Sequence, residues 1–131
     1  MKHSFTKGIN LGGWMSQCDY SEERLDTFIT EPDLAQIAAW GFDHVRLPID
    51  YNVLLSPDGQ LDERGFRRLD DALALCERHG LKTVLDLHKT PGFSFDPGER
   101  EEGFFPHLPI RRRFTAYGRR SQSASAASRI V

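Results

Sequence analysis

A chain of 131 residues with 39% hydrophobic and 27% charged content suits one soluble globular domain, and excludes both a disordered polymer and a membrane protein. No apolar run approaches the roughly 20 residues of a bilayer span. The formal charge of −2 conceals a break: all 19 acidic residues and 11 of the 17 basic ones precede Pro109, after which come six arginines and no acid.

Lys7-Gly8-Ile9-Asn10-Leu11-Gly12-Gly13-Trp14 begins as a short apolar run and ends in paired glycines, the pattern of a buried strand giving way to a turn. From Ser21 to Ile29 the spacing predicts a short helix capped by Ser21, with Leu25, Phe28 and Ile29 on one side. Thr30-Glu31-Pro32-Asp33 predicts a second helix: a cap, a proline tolerated in the first turn and acids near the positive helix end. Leu34, Ile37 and Ala38 continue it at helical spacing, and Gly41 can take the left-handed conformation that ends it. His44-Val45-Arg46-Leu47-Pro48-Ile49 reads as a second strand ending near Arg46, because a proline cannot donate within a central strand.

Asp58-Gly59 marks a turn. Asp62 then caps a helix with an apolar stripe of Phe66, Leu69, Leu73 and Cys76, closed at His79-Gly80. Leu81 to His88 reads as a third, mostly buried strand bounded by Lys89-Thr90-Pro91-Gly92. The remainder, 109–131, is rich in Arg, Ser and Ala without a sustained apolar period, and reads as an unstructured or foreign tail. A solvated basic arm and a nucleic-acid arm are alternatives; translation in a shifted reading frame is preferred. The domain assignment is therefore 1–108 for an α/β unit and 109–131 for an irregular C-terminal tail.

The order β-α-β-α-β implies right-handed crossovers and a parallel sheet, which brings polar residues at the carboxyl ends of the strands to one face. Asn10, Arg46 and His88 occupy such ends. An arginine and a histidine there can orient a carboxylate and bond a substrate hydroxyl. The bland alternative pairs Arg46 with a nearby acid such as Asp50 and His88 with a local carbonyl.

Three segments in order, Gly8 to Trp14, Gly41 to Ile49 and Leu85 to Gly92, resemble the N-terminal region of glycoside hydrolase family 5, the cellulase-type retaining enzymes. The likeness spans about Lys7 to Phe105, and Asn10-Leu11-Gly12-Gly13-Trp14 looks most like members acting on β-glucans, including the exo-β-1,3-glucanase branch. The resemblance implies an incomplete TIM (β/α)8 barrel, since a whole one needs roughly 250 residues. It implies that Arg46 bonds the nucleophilic glutamate and that His88 contacts the sugar at the cleavage site. Asn10, Trp14, Tyr51 and Lys89 lie on loops of the same face; Trp14 and Tyr51 are candidates for stacking on pyranose rings, with a core position as the alternative for Trp14.

The family's two catalytic glutamates have no counterpart here, so no catalytic residue is assigned within the chain. Glu99, Glu101 and Glu102 read as a solvated acidic loop. The expected function is that of a retaining β-glucanase by resemblance, inactive alone, with a non-catalytic carbohydrate-binding piece as the alternative. The expected partner is a β-glucan or oligosaccharide, with no nucleic acid, membrane, metal or cofactor. No secretion signal is visible and a cytoplasmic location is expected; Cys18 and Cys76 are expected as thiols. Three strands with open edges are expected to fold poorly by themselves.

Overall fold

The computed structural model describes residues 5–91, 108–123 and 129–130, with side-chain surroundings for 5–91 and 109–117. Strand β1 (Gly8–Asn10) is followed by helices α1 (Glu22–Thr27) and α2 (Glu31–Ala39), strand β2 (His44–Asp50) and a single helical turn, α3 (Tyr51–Leu54). Helix α4 (Glu63–Arg78), strand β3 (Lys82–Lys89), helix α5 (Leu108–Ser123) and the two-residue strand β4 (Arg129–Ile130) complete the described chain. The sheet order is β1-β2-β3-β4 and every pair is parallel, as alternating strands and helices require.

Local chemistry sets the helix ends. The Ser21 hydroxyl accepts from Arg24 N at 3.2 Å, the Thr30 N–H donates to Asp33 Oδ2 at 2.7 Å, and Asp62 accepts from Arg64 N at 2.9 Å. Gly41 and Gly80 adopt φ of +84° and +72° after α2 and α4, where a side chain would be strained.

Period-two alternation then divides the sheet into two faces. Val45, Leu47, Ile49 and Leu85 are buried in one core with Leu34 and Ile37 of α2 and with Phe66, Leu69, Ala72 and Cys76 of α4. Gly65 lets α4 approach the turn before it, since a Cβ there would lie 1.8 Å from the Val53 carbonyl oxygen. The opposite strand face carries Asn10, Arg46, Asp86 and His88.

Three expectations are corrected. Strand β2 does not stop near Arg46 but runs through Pro48 to Asp50. Arg46 O accepts from Leu11 N and Asp50 N donates to Met15 O, so position 48, midway between them, also addresses the β1 side. There β1 has already ended at Asn10, and the missing N–H interrupts no strand ladder. The segment expected as an unstructured tail forms α5 over Leu108–Ser123, with Ile110 and Phe114 buried in the common core and Tyr117 packed against it. Those residues recur at i, i+4 and i+7, an apolar stripe short enough to be hidden among arginines. The outer edge of β3, expected bare, is met by β4 at Val84 and Leu85.

The entry to the sheet is held by one carboxyl group. Asp43 accepts from Thr6 N at 2.8 Å, Lys7 N at 3.2 Å and the Thr6 hydroxyl, and lies 2.5 Å from His44 Nδ1. The Thr6 hydroxyl first, then His44 and the backbone donors, hold this carboxyl well below its ordinary value of 3.8. A carboxyl group with a lower pKa when folded contributes stability above its unfolded value and loses it as the pH falls through the folded one. Asp43→Asn is therefore expected to be less stable than the parent at neutral pH, with the gap closing below about pH 4. Urea titrations of both chains across pH 2–7 check this; a gap independent of pH would count against it.

Candidate sugar-binding face

Asn10, Arg46 and His88 come together because parallel strands carry their carboxyl ends to the same side. The register pairs Asn10 with Arg46 across β1 and β2, and Pro48 with Asp86 across β2 and β3. Arg46 Nη1 donates to Asn10 Oδ1 at 2.8 Å, and Arg46 Nη2 forms an ion pair with Asp86 Oδ2. His88 Nδ1 lies 3.2 Å from the same Asp86 oxygen and 3.4 Å from Arg46 Nη2. The guanidinium fork thus bridges β1 and β3 across β2, a bidentate geometry available to arginine and not to lysine.

His88 sits at an irregularity. Ile49 pairs with Leu87 and Asp50 with Lys89, so β3 carries one residue more than β2 at this point, and that residue is His88. A bulge of this kind re-aims a side chain at the end of a ladder. With its proton on Nδ1 the ring donates to Asp86, which makes Nε2 the acceptor nitrogen. The side chains of Arg46, Asp86 and His88 are 40%, 14% and 25% exposed, so the carboxyl group lies beneath and the guanidinium stands toward solvent.

Asp86 was not singled out from the sequence, although two residues before His88 on a strand is the same face. In the bland alternative Arg46 pairs with a nearby acid such as Asp50; the acid it meets is Asp86. Asp50 is buried and accepts instead from Gln17 N at 2.9 Å and the Tyr20 hydroxyl at 2.6 Å.

The four weaker candidates separate. Asn10 belongs to the cluster. Trp14 does not offer a stacking surface, which corrects that assignment: it is 5% exposed, and its indole N–H donates to Leu25 O at 2.8 Å, tying the loop after β1 to α1. Tyr51 is half-buried and lines an open cavity of about 520 Å3 with Asn52, Leu55, Ser56, Pro57, Gly59 and Pro91. Lys89 is half-buried at the end of β3. Glu99, Glu101 and Glu102 lie outside the described residues. Among the described residues no group of three or more His, Cys, Asp or Glu is placed to hold a metal ion, and no helix is long and apolar enough to cross a membrane. Cys18 and Cys76 are free thiols.

The chain is 63% identical over 108 residues to cellodextrinase A of Ruminococcus flavefaciens, covering 82% of this chain and 32% of that protein. It is 50% identical over 95 residues to endoglucanase C of Acetivibrio thermocellus, covering 70% of this chain and 28% of that protein. The chain thus spans about a third of the length of these curated relatives. A crystal structure of a glycoside hydrolase superposes over 97% of this chain and 40% of its own, with a TM-score of 0.75 at 20% identity, which speaks for the fold alone. The model of the cellulase family, glycosyl hydrolase family 5, matches residues 4–120, and the chain belongs to that family.

Proposed function

We propose that this chain carries the substrate-gripping and nucleophile-supporting side chains of a retaining β-glucan hydrolase, and that by itself it cleaves no glycosidic bond. The observation that carries the reading is the Arg46 fork, held by Asn10 and Asp86 at the mouth of the strands with His88 beside it. A fixed cation lowers the pKa of a carboxyl group placed near it, which is what a nucleophilic glutamate needs at neutral pH. Arg46 retains further N–H donors for such a group or for a sugar hydroxyl. The names of the relatives, a cellodextrinase and an endoglucanase, favour β-linked glucose oligomers as the ligand.

Retaining cleavage requires two carboxyl groups about 5 to 5.5 Å apart across the scissile bond, and the sequence has no residues that match the family's glutamates. Incubated with cello- and laminari-oligosaccharides, the full chain is expected to bind without releasing reducing sugar. A rate of release that disappears in His88→Ala would overturn the inactive reading. The absence of any binding to either series would overturn the assignment of the face.

A further inference from the structure

Among the described residues, the one buried carboxyl group that this reading leaves unused is Asp50. It is 1% exposed at the end of β2, just beyond the Arg46 cluster, and faces the β1 side, where the loop Leu11–Tyr20 crosses the mouth of the sheet. A buried ionisable group is poor evidence of a role in stability, because removing it from water costs more than it returns unless every lone pair is served. Here the service is partial: Oδ2 accepts two hydrogen bonds, whereas Oδ1 has no hydrogen-bond partner among the described residues.

What Asp50 does hold is the loop. Its N–H donates to Met15 O at 2.9 Å, its Oδ2 accepts from Gln17 N at 2.9 Å, and the same oxygen accepts from the Tyr20 hydroxyl at 2.6 Å. Three contacts therefore fall within six residues of loop. Two of those residues, Gln17 and Tyr20, have φ of +53° and +56°, left-handed backbone that residues other than glycine avoid. Such backbone persists where its surroundings over-determine it, and it clusters at sites of function. Both left-handed residues are bound to Asp50, one through its backbone N–H and one through its side chain.

The loop's position makes that shape matter. It leaves β1 directly after Asn10, the residue that anchors one side of the Arg46 fork, and returns over Asp50, which is followed by Tyr51 of the cleft. Tyr20 also lines a second cavity, of about 170 Å3, with Asn52 and Leu55, two residues that border the Tyr51 cleft as well. We infer that Asp50 is a positioning residue: it fixes the Met15–Tyr20 loop as a wall of the glucan cleft. This rests on the sugar-binding assignment of the face. The ligand class is a β-glucan chain crossing from the Arg46 cluster toward Tyr51.

The test uses the full chain with cellotetraose as probe, comparing Asp50→Asn, Tyr20→Phe and the parent by calorimetric titration and by hydrogen exchange over residues 15–20. Tyr20→Phe removes one hydroxyl and keeps the ring, so it reports even where Asp50→Asn does not fold. The expected result is faster exchange confined to the loop, with affinity for cellotetraose reduced about tenfold, while amides of β2 and β3 keep the parent's protection. Parent-like affinity in Tyr20→Phe despite a loosened loop would overturn the proposal and leave the sugar-binding face intact. So would unchanged loop exchange. A parent chain that binds neither cellotetraose nor laminaritetraose would instead remove the assignment of the face, and the proposal with it.

Discussion

Phe66→Ala is expected to cost about 3–5 kcal/mol, of the same order as the whole stability of a small domain. Phe66 is fully buried on α4 and packs in the core shared by α4 and the sheet. Its ring also seats α5: Tyr117 stacks parallel to it at 6.4 Å between centroids, and the Arg113 guanidinium lies 4.5 Å from its centroid. Arg113 is fixed in turn by two bonds of 2.9 Å to the carboxyl oxygens of Glu63, one turn before Phe66. Those bonds hold the Glu63 carboxyl below its ordinary value. Truncation thus opens a cavity and removes the platform on which α5 lies. Urea unfolding measures the cost, and hydrogen exchange over 108–123 should show α5 losing protection first. A loss below about 1 kcal/mol would mean that α5 does not rest on Phe66. Arg113→Ala is the milder companion: an exposed ion pair contributes little, so α5 should loosen without global unfolding.

That contrast bears on how much was legible in the chain. Caps and glycines mark α1, α2 and α4 because each acts within a few residues, and Ser21, Asp62, Gly41 and Gly80 do in the structure what their chemistry permits. The course of β2 past Pro48 was not legible, since whether a missing N–H matters depends on where β1 ends, a fact about another segment. Helix α5 was obscured by composition: arginines dominate its sequence, while the stripe of Ile110, Phe114 and Tyr117 covers only two turns. The convergence of Asn10, Arg46 and His88 followed from parallel strands alone. The acid that completes the cluster did not, because Asp50 and Asp86 are equally plausible partners until register and the bulge at His88 are known. Trp14 shows the same limit: a tryptophan after a strand suits a cleft or a core, and only the bond to Leu25 O separates them.

The cluster itself gives the other large expectation. Arg46→Ala should weaken oligosaccharide binding by about 10–100-fold, the loss that follows from removing charge-assisted hydrogen bonds worth roughly 1.5–3 kcal/mol. Two things go at once: the donors offered to the ligand, and the cation that neutralises Asp86, whose side chain is only 14% exposed. The second leaves the partly buried Asp86 carboxyl group with His88 beside it but without its guanidinium, so Arg46→Ala is expected to be worse than its lost contacts alone. Arg46→Lys separates the two effects. A lysine ammonium can neutralise Asp86 but cannot reach Asn10 and Asp86 together as the fork does. It should recover stability nearly to the parent's while leaving binding about tenfold weak. The double variant Arg46→Ala, Asp86→Ala closes the cycle, and a coupling of about 0.5–3 kcal/mol between the two positions is expected in unfolding measurements. If Arg46→Lys binds sugar as the parent does, charge alone suffices, and the bridge from β1 to β3 has no part in holding the ligand.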